Sequence, residues 1–289
     1  MVRTVATTYN NLYLKIRNRL RQAGSLGANL EARELVCYGS GKSREQFFRD
    51  ASLDVPSEVE ASVLKLVEQY LNGHPLAYLI GEWEFYGLPL DVSDAVLIPR
   101  PDTEVLAEQV IDFVRTQPSC HVLDLCAGTG CIGLAVAANV PDCRVLLGDI
   151  SEAAIRICQQ NIRRNSLSEQ VSVMAMDALQ PPPVSIRGFQ CIVSNPPYIP
   201  RAEIETLDDS VKNYEPHLAL CGGEDGYDFY TAIIRHWKDA LAKNGRLYFE
   251  VGIGQAETVA SMMRSEGFEK IHIVPDLQGI DRVVYGTLS

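Results

Sequence analysis

Hydrophobic residues in the first 75 positions repeat at helical spacing. Apolar side chains three or four residues apart lie on one face of a helix. Leu12, Ile16 and Leu20 show this pattern, as do Val59, Val63, Leu66 and Tyr70, and Leu30, Leu35 and Val36 suggest a further helix. Ser43 and Gln46 have the spacing of a capping box, which predicts one more helix start just before Phe47. We therefore expect residues 1–75 to form a small helical domain.

The pattern changes over residues 76–98. β-Forming residues in 78–86 and 88–92 lie on either side of Gly87, which predicts a short β-hairpin, and Pro99 and Pro101 end it. A helix is predicted over 102–114. We expect the hairpin to link the helical domain to a second domain that spans residues 99–289.

From residue 120 onward, predicted strands alternate with predicted helices. The strands are 120–125, 144–149, 171–176, 190–194, 246–251, 270–274 and 282–287, and the helices are 131–139, 152–165, 227–243 and 254–266. Repeated β–α units predict a doubly wound α/β fold with helices on both faces of a parallel sheet. The last two strands are only seven residues apart, too few for a helical crossover, so this pair should be antiparallel.

Composition excludes several classes of protein. Of 289 residues, 46% are apolar and 22% are charged, which excludes a disordered or fibrous chain. No apolar run approaches the roughly 20 residues of a membrane span, and residues 1–20 lack a signal-peptide core, so we expect a cytoplasmic protein without membrane contact. The net charge of −11 argues against a broad nucleic-acid-binding surface. The eight cysteines contain no Cys-x-x-Cys pair, which predicts buried thiols and no metal site.

Residues 121–133, HVLDLCAGTGCIG, predict a strand, a tight turn and a helix. Gly128 and Gly130 would let the backbone approach a ligand closely, and Gly133 would let the helix pack on the strand. This turn alone could serve a dinucleotide, a nucleoside or packing only. Asp149 ends the next strand 19 residues after Gly130, where its carboxylate can accept both ribose hydroxyls. The alternative is that Asp149 caps the following helix.

Three acidic residues favour a cationic ligand. Asp124, Asp149 and Asp177 fall at or near strand ends on the carboxyl edge of the predicted sheet, where ligands bind in such folds. A pyrophosphate would use the helix N-terminus, whereas a sulfonium nucleoside would use carboxylates. The pattern therefore favours S-adenosylmethionine over NAD. Asp177 could bind an adenine amine or be an ordinary loop acid.

Residues 194–200, SNPPYIP, directly follow the fourth strand. Pro196 and Pro197 have no N–H donors, which leaves backbone carbonyls free beside the side-chain oxygen of Asn195. Two converging acceptors suit an NH₂ group, and Tyr198 offers a face for a flat amide or base. The nitrogen of a planar amide is a poor nucleophile, so desolvation, alignment and hydrogen bonds must assist methyl transfer to it. A plain structural turn is the alternative.

Together, these motifs resemble those of the peptide chain release factor glutamine methyltransferases of the PrmC/HemK type. The resemblance covers nearly the whole chain, including the helical N-terminal domain. The matching blocks are IG at 80–81, FYG at 85–87, LIPRPDTE at 97–104, DLCAGTG at 124–130, Asp149, NPPYI at 195–199, YEP at 214–216, ALCGGEDG at 219–226 and FEVG at 249–252. The block at 97–104 is the most specific, because Asn-Pro-Pro-Tyr is shared with adenine-N6 and other amino methyltransferases.

The resemblance implies a class I S-adenosylmethionine-dependent methyltransferase fold. It also implies methyl transfer to the side-chain nitrogen (N5) of the glutamine in the Gly-Gly-Gln loop of class-1 translation release factors. The implied cofactor-binding residues are Cys126, Ala127, Gly128, Thr129, Gly130, Asp149, Asp177, Ala178 and Asn195. The implied glutamine-binding residues are Asn195, Pro196, Pro197 and Tyr198, with Asn195, Pro196 and Tyr198 catalytic. We expect a monomer that binds a release factor through its helical domain and hairpin, without metal or direct nucleic-acid binding.

Two positions depart from the family pattern. Cys126 replaces the first glycine of the turn, where we expect it to keep a negative φ. Ala178 stands where the family often has an aromatic residue, so adenine stacking must come from elsewhere or be weaker.

The roles of three charged residues near these blocks stay open. Arg100 and Glu104 could shape the cofactor mouth or form an ion pair at a helix start. Glu215 could orient a loop over the site or be a solvated acid.

Two other functions stay open. An adenine-N6 methyltransferase acting on DNA or RNA could use the same turn, with Tyr198 stacked on a flipped base, although the charge of −11 counts against it. A non-catalytic cofactor-binding adaptor that docks on a translation factor is the second, and the Asn195 turn argues against it.

Overall fold

The computed structural model describes residues 7–289, which form two compact units that divide after Gly81. Within residues 7–81, the helices are α1 (Tyr9–Gln22), α2 (Ala28–Ser40), α3 (Arg44–Arg49), α4 (Ser57–Leu71) and α5 (Leu76–Ile80). Leu12, Ile16 and Leu20 are buried in the core of this unit, as predicted from their spacing. The predicted capping box is also confirmed, because Ser43 and Gln46 exchange hydrogen bonds at the start of α3.

The helix suggested by Leu30, Leu35 and Val36 is α2, in which Leu35 and Val36 are buried and Leu30 is 47% exposed. One detail of the prediction for this part of the chain is wrong. Residues 78–80, predicted to begin a strand, lie in α5. Pro75 fixes a backbone conformation suited to a helix start, and Gly81 ends the helix with a φ of +77°.

The larger unit, Glu82–Ser289, is an α/β fold. Its helices are α6 (Thr103–Arg115), α7 (Cys131–Asn139), α8 (Glu152–Arg164), α9 (Asp209–Lys212), α10 (Asp228–Trp237) and α11 (Ala256–Ser265), with 3₁₀ turns at Arg201–Thr206, His217–Ala219 and Lys238–Ala240. Its strands are β1 (Glu82–Phe85), β2 (Leu88–Asp91), β3 (His121–Leu125), β4 (Arg144–Asp149), β5 (Val171–Ala175), β6 (Phe189–Ser194), β7 (Leu241–Glu250), β8 (Phe268–Pro275) and β9 (Asp281–Leu288).

Strands β1 and β2 form the predicted antiparallel hairpin. Tyr86 and Gly87 both have positive φ values, 50° and 76°, as two-residue hairpin turns favour. The side chain of Asn161 on α8 holds the end of this hairpin: its Oδ1 accepts the Asp91 N–H at 2.6 Å, and its Nδ2 donates to the Asp91 carbonyl at 3.1 Å. Asn161 Nδ2 also donates to the Thr129 carbonyl at 3.0 Å, which ties the hairpin to the glycine turn.

Strands β3 to β9 form one sheet in the order β5-β4-β3-β6-β7-β9-β8. The pairings from β5 to β7 are parallel, and β9 is antiparallel to both β7 and β8. The predicted α/β fold, a mostly parallel seven-stranded sheet with its last strand antiparallel, is therefore confirmed in the described part of the chain. A Cβ at Gly133 would lie 2.3 Å from Leu147 Cδ2, so glycine lets α7 pack on the sheet as predicted.

The parallel strands bring distant segments to one edge of the sheet. Asp177, Asp149, residues 126–130, Asn195 and Glu250 lie at or just after the ends of β5, β4, β3, β6 and β7, in that order across the sheet. The chain crosses from β4–β5 on one side of β3 to β6–β7 on the other, and ligands bind at such a switch point. In the described residues no helix is long and apolar enough to cross a membrane.

Candidate active site

A cleft of about 290 Å³ opens at this edge of the sheet. Its walls are largely apolar and include Ile132, Met176 and Phe229. Among the described residues that line the cleft, Arg100 is the one Lys or Arg side chain. Eight of the nine predicted cofactor-binding residues line it: Cys126, Ala127, Gly128, Thr129, Asp149, Asp177, Ala178 and Asn195. Gly130 lies behind the turn, where a Cβ would be 2.9 Å from Leu147 Cδ1.

The carboxylate of Asp149 joins the glycine turn to β4. Its Oδ2 accepts the Gly128 N–H and its Oδ1 accepts the Ser151 N–H, both at 2.8 Å. Ser151, not Asp149, caps α8, because its side chain accepts the Ala154 N–H. Burial raises the pKa of Asp149, although these backbone hydrogen bonds act to lower it. The carboxylate is thus fixed in the wall of the cleft, with further lone pairs that can accept ligand hydroxyls.

Cys126 adopts a backbone conformation typical of glycine. Its φ is +60°, so the expectation of a negative φ is wrong. The turn imposes this conformation, since the Ala127 N–H donates to the Gly148 carbonyl at 3.1 Å and the Gly130 N–H to the Ala127 carbonyl at 2.7 Å. A left-handed conformation costs a residue with a Cβ roughly 1–2 kcal/mol. Cys126 therefore preserves the shape of the turn at the expense of local strain.

Asp124 adds negative charge below the turn. It is 1% exposed, and its Oδ2 accepts the Gly133 N–H at 2.9 Å. Its Oδ1 is buried and has no hydrogen-bond partner within residues 7–289. Burial, helped by the nearby Asp149 carboxylate, raises the pKa of Asp124 to about 7. A cationic ligand would relieve this concentration of carboxyl groups.

The far end of the cleft carries Asp177 and Ala178. Asp177 Oδ1 accepts the Leu179 N–H at 2.9 Å, which fixes the loop after β5. The Ala178 carbonyl accepts a hydrogen bond from the Trp237 indole at 3.1 Å, while Phe229 of α10 lines the cleft. Phe229 thus gives the cleft an aromatic surface, although Ala178 stands at the position where the family often has an aromatic residue. No sequence signal pointed to Phe229, because α10 lies about 50 residues further along the chain.

The Asn-Pro-Pro-Tyr turn faces the same cleft from the end of β6. Ser194 Oγ donates to the Leu125 carbonyl at 2.8 Å and so joins the start of the turn to β3. Asn195 Nδ2 donates to Thr103 Oγ1 at 3.4 Å. Asn195 and Pro197 line the cleft, whereas Pro196 and Tyr198 are not among its lining residues. With its nitrogen directed at Thr103, Asn195 keeps its oxygen as an acceptor on the other side of the amide.

The backbone of the turn is held by two segments whose role the sequence did not reveal. The Tyr198 carbonyl accepts Gln255 Nε2 at 3.0 Å, and the Ile199 carbonyl accepts the Gly222 N–H at 2.9 Å. A Cβ at Gly222 would lie 2.7 Å from Tyr198 Cα, and one at Gly226 would lie 2.4 Å from the Tyr198 carbonyl oxygen. These glycines belong to the 219–226 block, which packs directly on the turn.

The three charged residues left open above each have a defined partner. Glu215 is 4% exposed, so its interpretation as a solvated acid is wrong. It pairs with the Arg100 guanidinium and accepts the Ile98 N–H at 3.3 Å, which joins two loops at the cleft. Arg100 thus pairs with Glu215 and lines the cleft. Glu104 accepts the Tyr86 N–H at 2.9 Å and thereby holds the hairpin turn.

Family models match most of the chain. Residues 11–81 match the PrmC N-terminal domain, and residues 102–213 match the methyltransferase small domain. The fold of a solved structure, the hMettl16 catalytic domain in complex with MAT2A 3′UTR hairpin 6, is also similar. It has a TM-score of 0.57 at 16% identity and covers 71% of this chain and 77% of that chain.

Curated relatives extend over nearly the full length. The release factor glutamine methyltransferase of Thermodesulfovibrio yellowstonii is 38% identical over 256 residues, or 88% of this chain and 90% of the relative. The protein of the same name from Geobacter sulfurreducens is 38% identical over 273 residues, or 94% of both chains. This identity over matching length shows that the chain belongs to the release factor glutamine methyltransferase family.

Proposed function

We propose that this protein methylates the side-chain amide nitrogen of the glutamine in the Gly-Gly-Gln loop of class-1 translation release factors. The observation that carries the proposal is the placement of the Asn195 amide in the same cleft as the glycine turn and Asp149. The family membership supports the choice of a release factor as substrate. The net charge of −11 weighs against a nucleic-acid substrate.

The cleft suits S-adenosylmethionine, which supplies the transferred methyl group when bound. Its apolar walls fit a nucleoside base, and its carboxyl groups fit ribose hydroxyls and a positive charge. The unpartnered Oδ1 of Asp124, counted within residues 7–289, adds to the negative potential. The residues that would hold the cofactor are the predicted ones that line the cleft: Cys126, Ala127, Gly128, Thr129, Asp149, Asp177, Ala178 and, at the border with the acceptor turn, Asn195. Gly130 would shape the turn from behind.

The Asn-Pro-Pro-Tyr turn would hold the carboxamide of the acceptor. Asn195 Oδ1 and the Pro196 carbonyl would each accept one N–H, which leaves the nitrogen lone pair directed away from the turn. Pro197 fixes the backbone, and the Tyr198 ring supports the flat amide. No side chain has to remove a proton first, because the nitrogen becomes acidic as its new bond forms.

The remaining features concern the partner and the cellular setting. We place the recognition of the release factor in the helical domain, residues 1–75, and in the hairpin linker within residues 76–98. A cytoplasmic location fits a translation factor as substrate. The monomeric state and the absence of nucleic-acid binding stay predictions from the sequence.

A labelling experiment tests the proposal. Purified protein is incubated with methyl-labelled S-adenosylmethionine and a class-1 release factor, and the labelled residue is mapped by mass spectrometry. We expect one methyl group on the glutamine of the Gly-Gly-Gln loop. Equal labelling of a release factor with that glutamine changed to alanine would reject the proposal, and methylated adenine in an added DNA or RNA would favour the nucleic-acid alternative.

A further inference from the structure

A buried carboxyl group lies behind the acceptor turn. Glu250, the last residue of β7, is 3% exposed. The Tyr198 hydroxyl donates to its Oε1 at 3.4 Å. Its Oε2 is buried and has no hydrogen-bond partner within residues 7–289. The other functional side chain of the turn, Asn195, contacts the Thr103 hydroxyl. Two residues outside the turn therefore contact its two functional side chains, Glu250 at Tyr198 and Thr103 at Asn195.

The hydrogen bond to Thr103 sets the orientation of the Asn195 amide. The hydroxyl oxygen of Thr103 accepts Asn195 Nδ2 at 3.4 Å. Because Nδ2 is engaged there, Asn195 Oδ1 faces the other way. If the Asn195 amide were reversed, its N–H donors would face the carboxamide that receives the methyl group, and that carboxamide itself presents N–H donors.

We propose that Thr103 and Glu250 are positioning residues that hold Asn195 and Tyr198 in the orientation required by a carboxamide. This inference rests on the proposed function. It assigns a physical role to two blocks of the chain, 97–104 and 249–252, that lie outside the predicted binding residues. Neither side chain needs to contact the reacting atoms.

The surroundings of Glu250 set the pH at which this arrangement should fail. Burial raises the pKa of Glu250 to about 7, while Thr103, Arg282 and Tyr198 lower it and Asp102 raises it. Arg282 is shared, since its Nη2 lies 3.2 Å from Asp276 Oδ2 and 3.7 Å from Asp102 Oδ2. A protonated Glu250 accepts the Tyr198 hydroxyl more weakly than an ionised one, because hydrogen bonds to charged groups are the stronger ones. The methyl-transfer rate should therefore fall as the pH drops below about 7.

The test compares two isosteric changes at opposite ends of α6. Thr103→Val removes the hydroxyl that Asn195 contacts, whereas Thr116→Val removes a hydroxyl that donates to the Phe113 carbonyl and accepts Gln117 Nε2, outside the cleft. We expect Thr103→Val to lower kcat about tenfold or more, since a lost buried hydrogen bond is worth roughly 1–3 kcal/mol. Cofactor affinity and melting temperature should change no more than in Thr116→Val, and Thr103→Ser should restore kcat. Wild-type kcat in Thr103→Val would overturn the inference.

A second measurement does not depend on activity. In protein with ¹⁵N-labelled asparagine, the side-chain amide signal of Asn195 should move in Thr103→Val and keep its wild-type position in Thr116→Val. An Asn195 signal that is the same in Thr103→Val and in the wild type would contradict the inference. If the signal moves as expected but no release factor is methylated, the proposed function fails while the positioning role stands.

Discussion

The two ends of the cleft are stabilised by contacts of very different reach along the chain. At the cofactor end, Asp149 and Gly128 are 21 residues apart, and Asp177 bonds to a residue two positions away. At the acceptor end, Asn195 and Thr103 are 92 residues apart, and Tyr198 bonds to residues 52 and 57 positions away. Adjacent β–α units thus build the nucleoside site, whereas the acceptor turn depends on the whole unit.

The groups at the two ends also differ in kind. The cofactor end presents carboxyl groups whose oxygens accept backbone N–H groups, as Asp149 and Asp124 do. The acceptor end presents an amide whose orientation is set by other side chains. This difference predicts that changes at the first end mainly weaken cofactor binding, while changes at the second mainly slow methyl transfer.

The largest effect is expected for Asn195→Ala. Loss of an acceptor that favours the transition state should lower the methyl-transfer rate about 100-fold or more. Single-turnover labelling of the release factor at saturating cofactor measures this rate. Asn139→Ala is a matched control, because the Asn139 amide only bonds to the Ala135 carbonyl within α7. A rate equal to that of the control would show that the turn does not hold the acceptor.

Asp149→Asn should have the next largest effect, on cofactor affinity. A hydrogen bond to a charged group is worth roughly 1.5–3 kcal/mol, which corresponds to about a 10- to 100-fold rise in Kd. Titration calorimetry with S-adenosylmethionine measures it, with the exposed Asp142→Asn as control. An unchanged Kd would exclude Asp149 from the cofactor site.

Tyr198→Phe tests the contact between Tyr198 and Glu250 and should have a smaller effect. It keeps the ring that supports the amide and removes one hydroxyl at 3.4 Å from Oε1. We expect the transfer rate to fall about two- to tenfold, in line with a hydrogen bond of about 0.5–1.5 kcal/mol. A loss as large as that of Asn195→Ala would mean that the hydroxyl acts on the reacting atoms.

The smallest effect is expected for Cys126→Gly. Glycine relieves the strain of a φ of +60° but gains freedom in the unfolded chain, so the free energy of unfolding should rise by at most about 1 kcal/mol. Cys126→Ala loses the thiol and keeps the strain, so it should be less stable than Cys126→Gly. Urea denaturation of both variants makes the comparison, and the reverse order would contradict a strained turn.

Local patterns predicted much of the molecule. The buried face of α1, the capping box at Ser43, the parallel strands and the antiparallel end of the sheet all follow from spacing within short windows. The error at residues 78–80 arose because β-forming side chains were weighed above Pro75 and Gly81, which delimit a helix. The φ of Cys126 was missed because hydrogen bonds of the turn override the preference of the residue.

The parts of the site that could not be predicted are those that depend on distant contacts. Gln255 has ordinary sequence surroundings, and although Thr103 lies in the 97–104 block, only the fold brings both to the Asn195 turn. Glu250 is the last residue of a strand, yet nothing in the sequence fixes its burial or its pairing with Tyr198. Glu215 was equally ambiguous until its partner Arg100 was placed.

One pair of measurements tests most directly whether the two ends of the cleft have separate roles, one in cofactor binding and one in methyl transfer. The Kd for S-adenosylmethionine and the single-turnover methyl-transfer rate at saturating cofactor are determined for Asn195→Ala and Asp149→Asn. The account predicts that Asn195→Ala changes the rate far more than the Kd, and that Asp149→Asn changes the Kd far more than the rate. Equal losses of both quantities in both variants would contradict it.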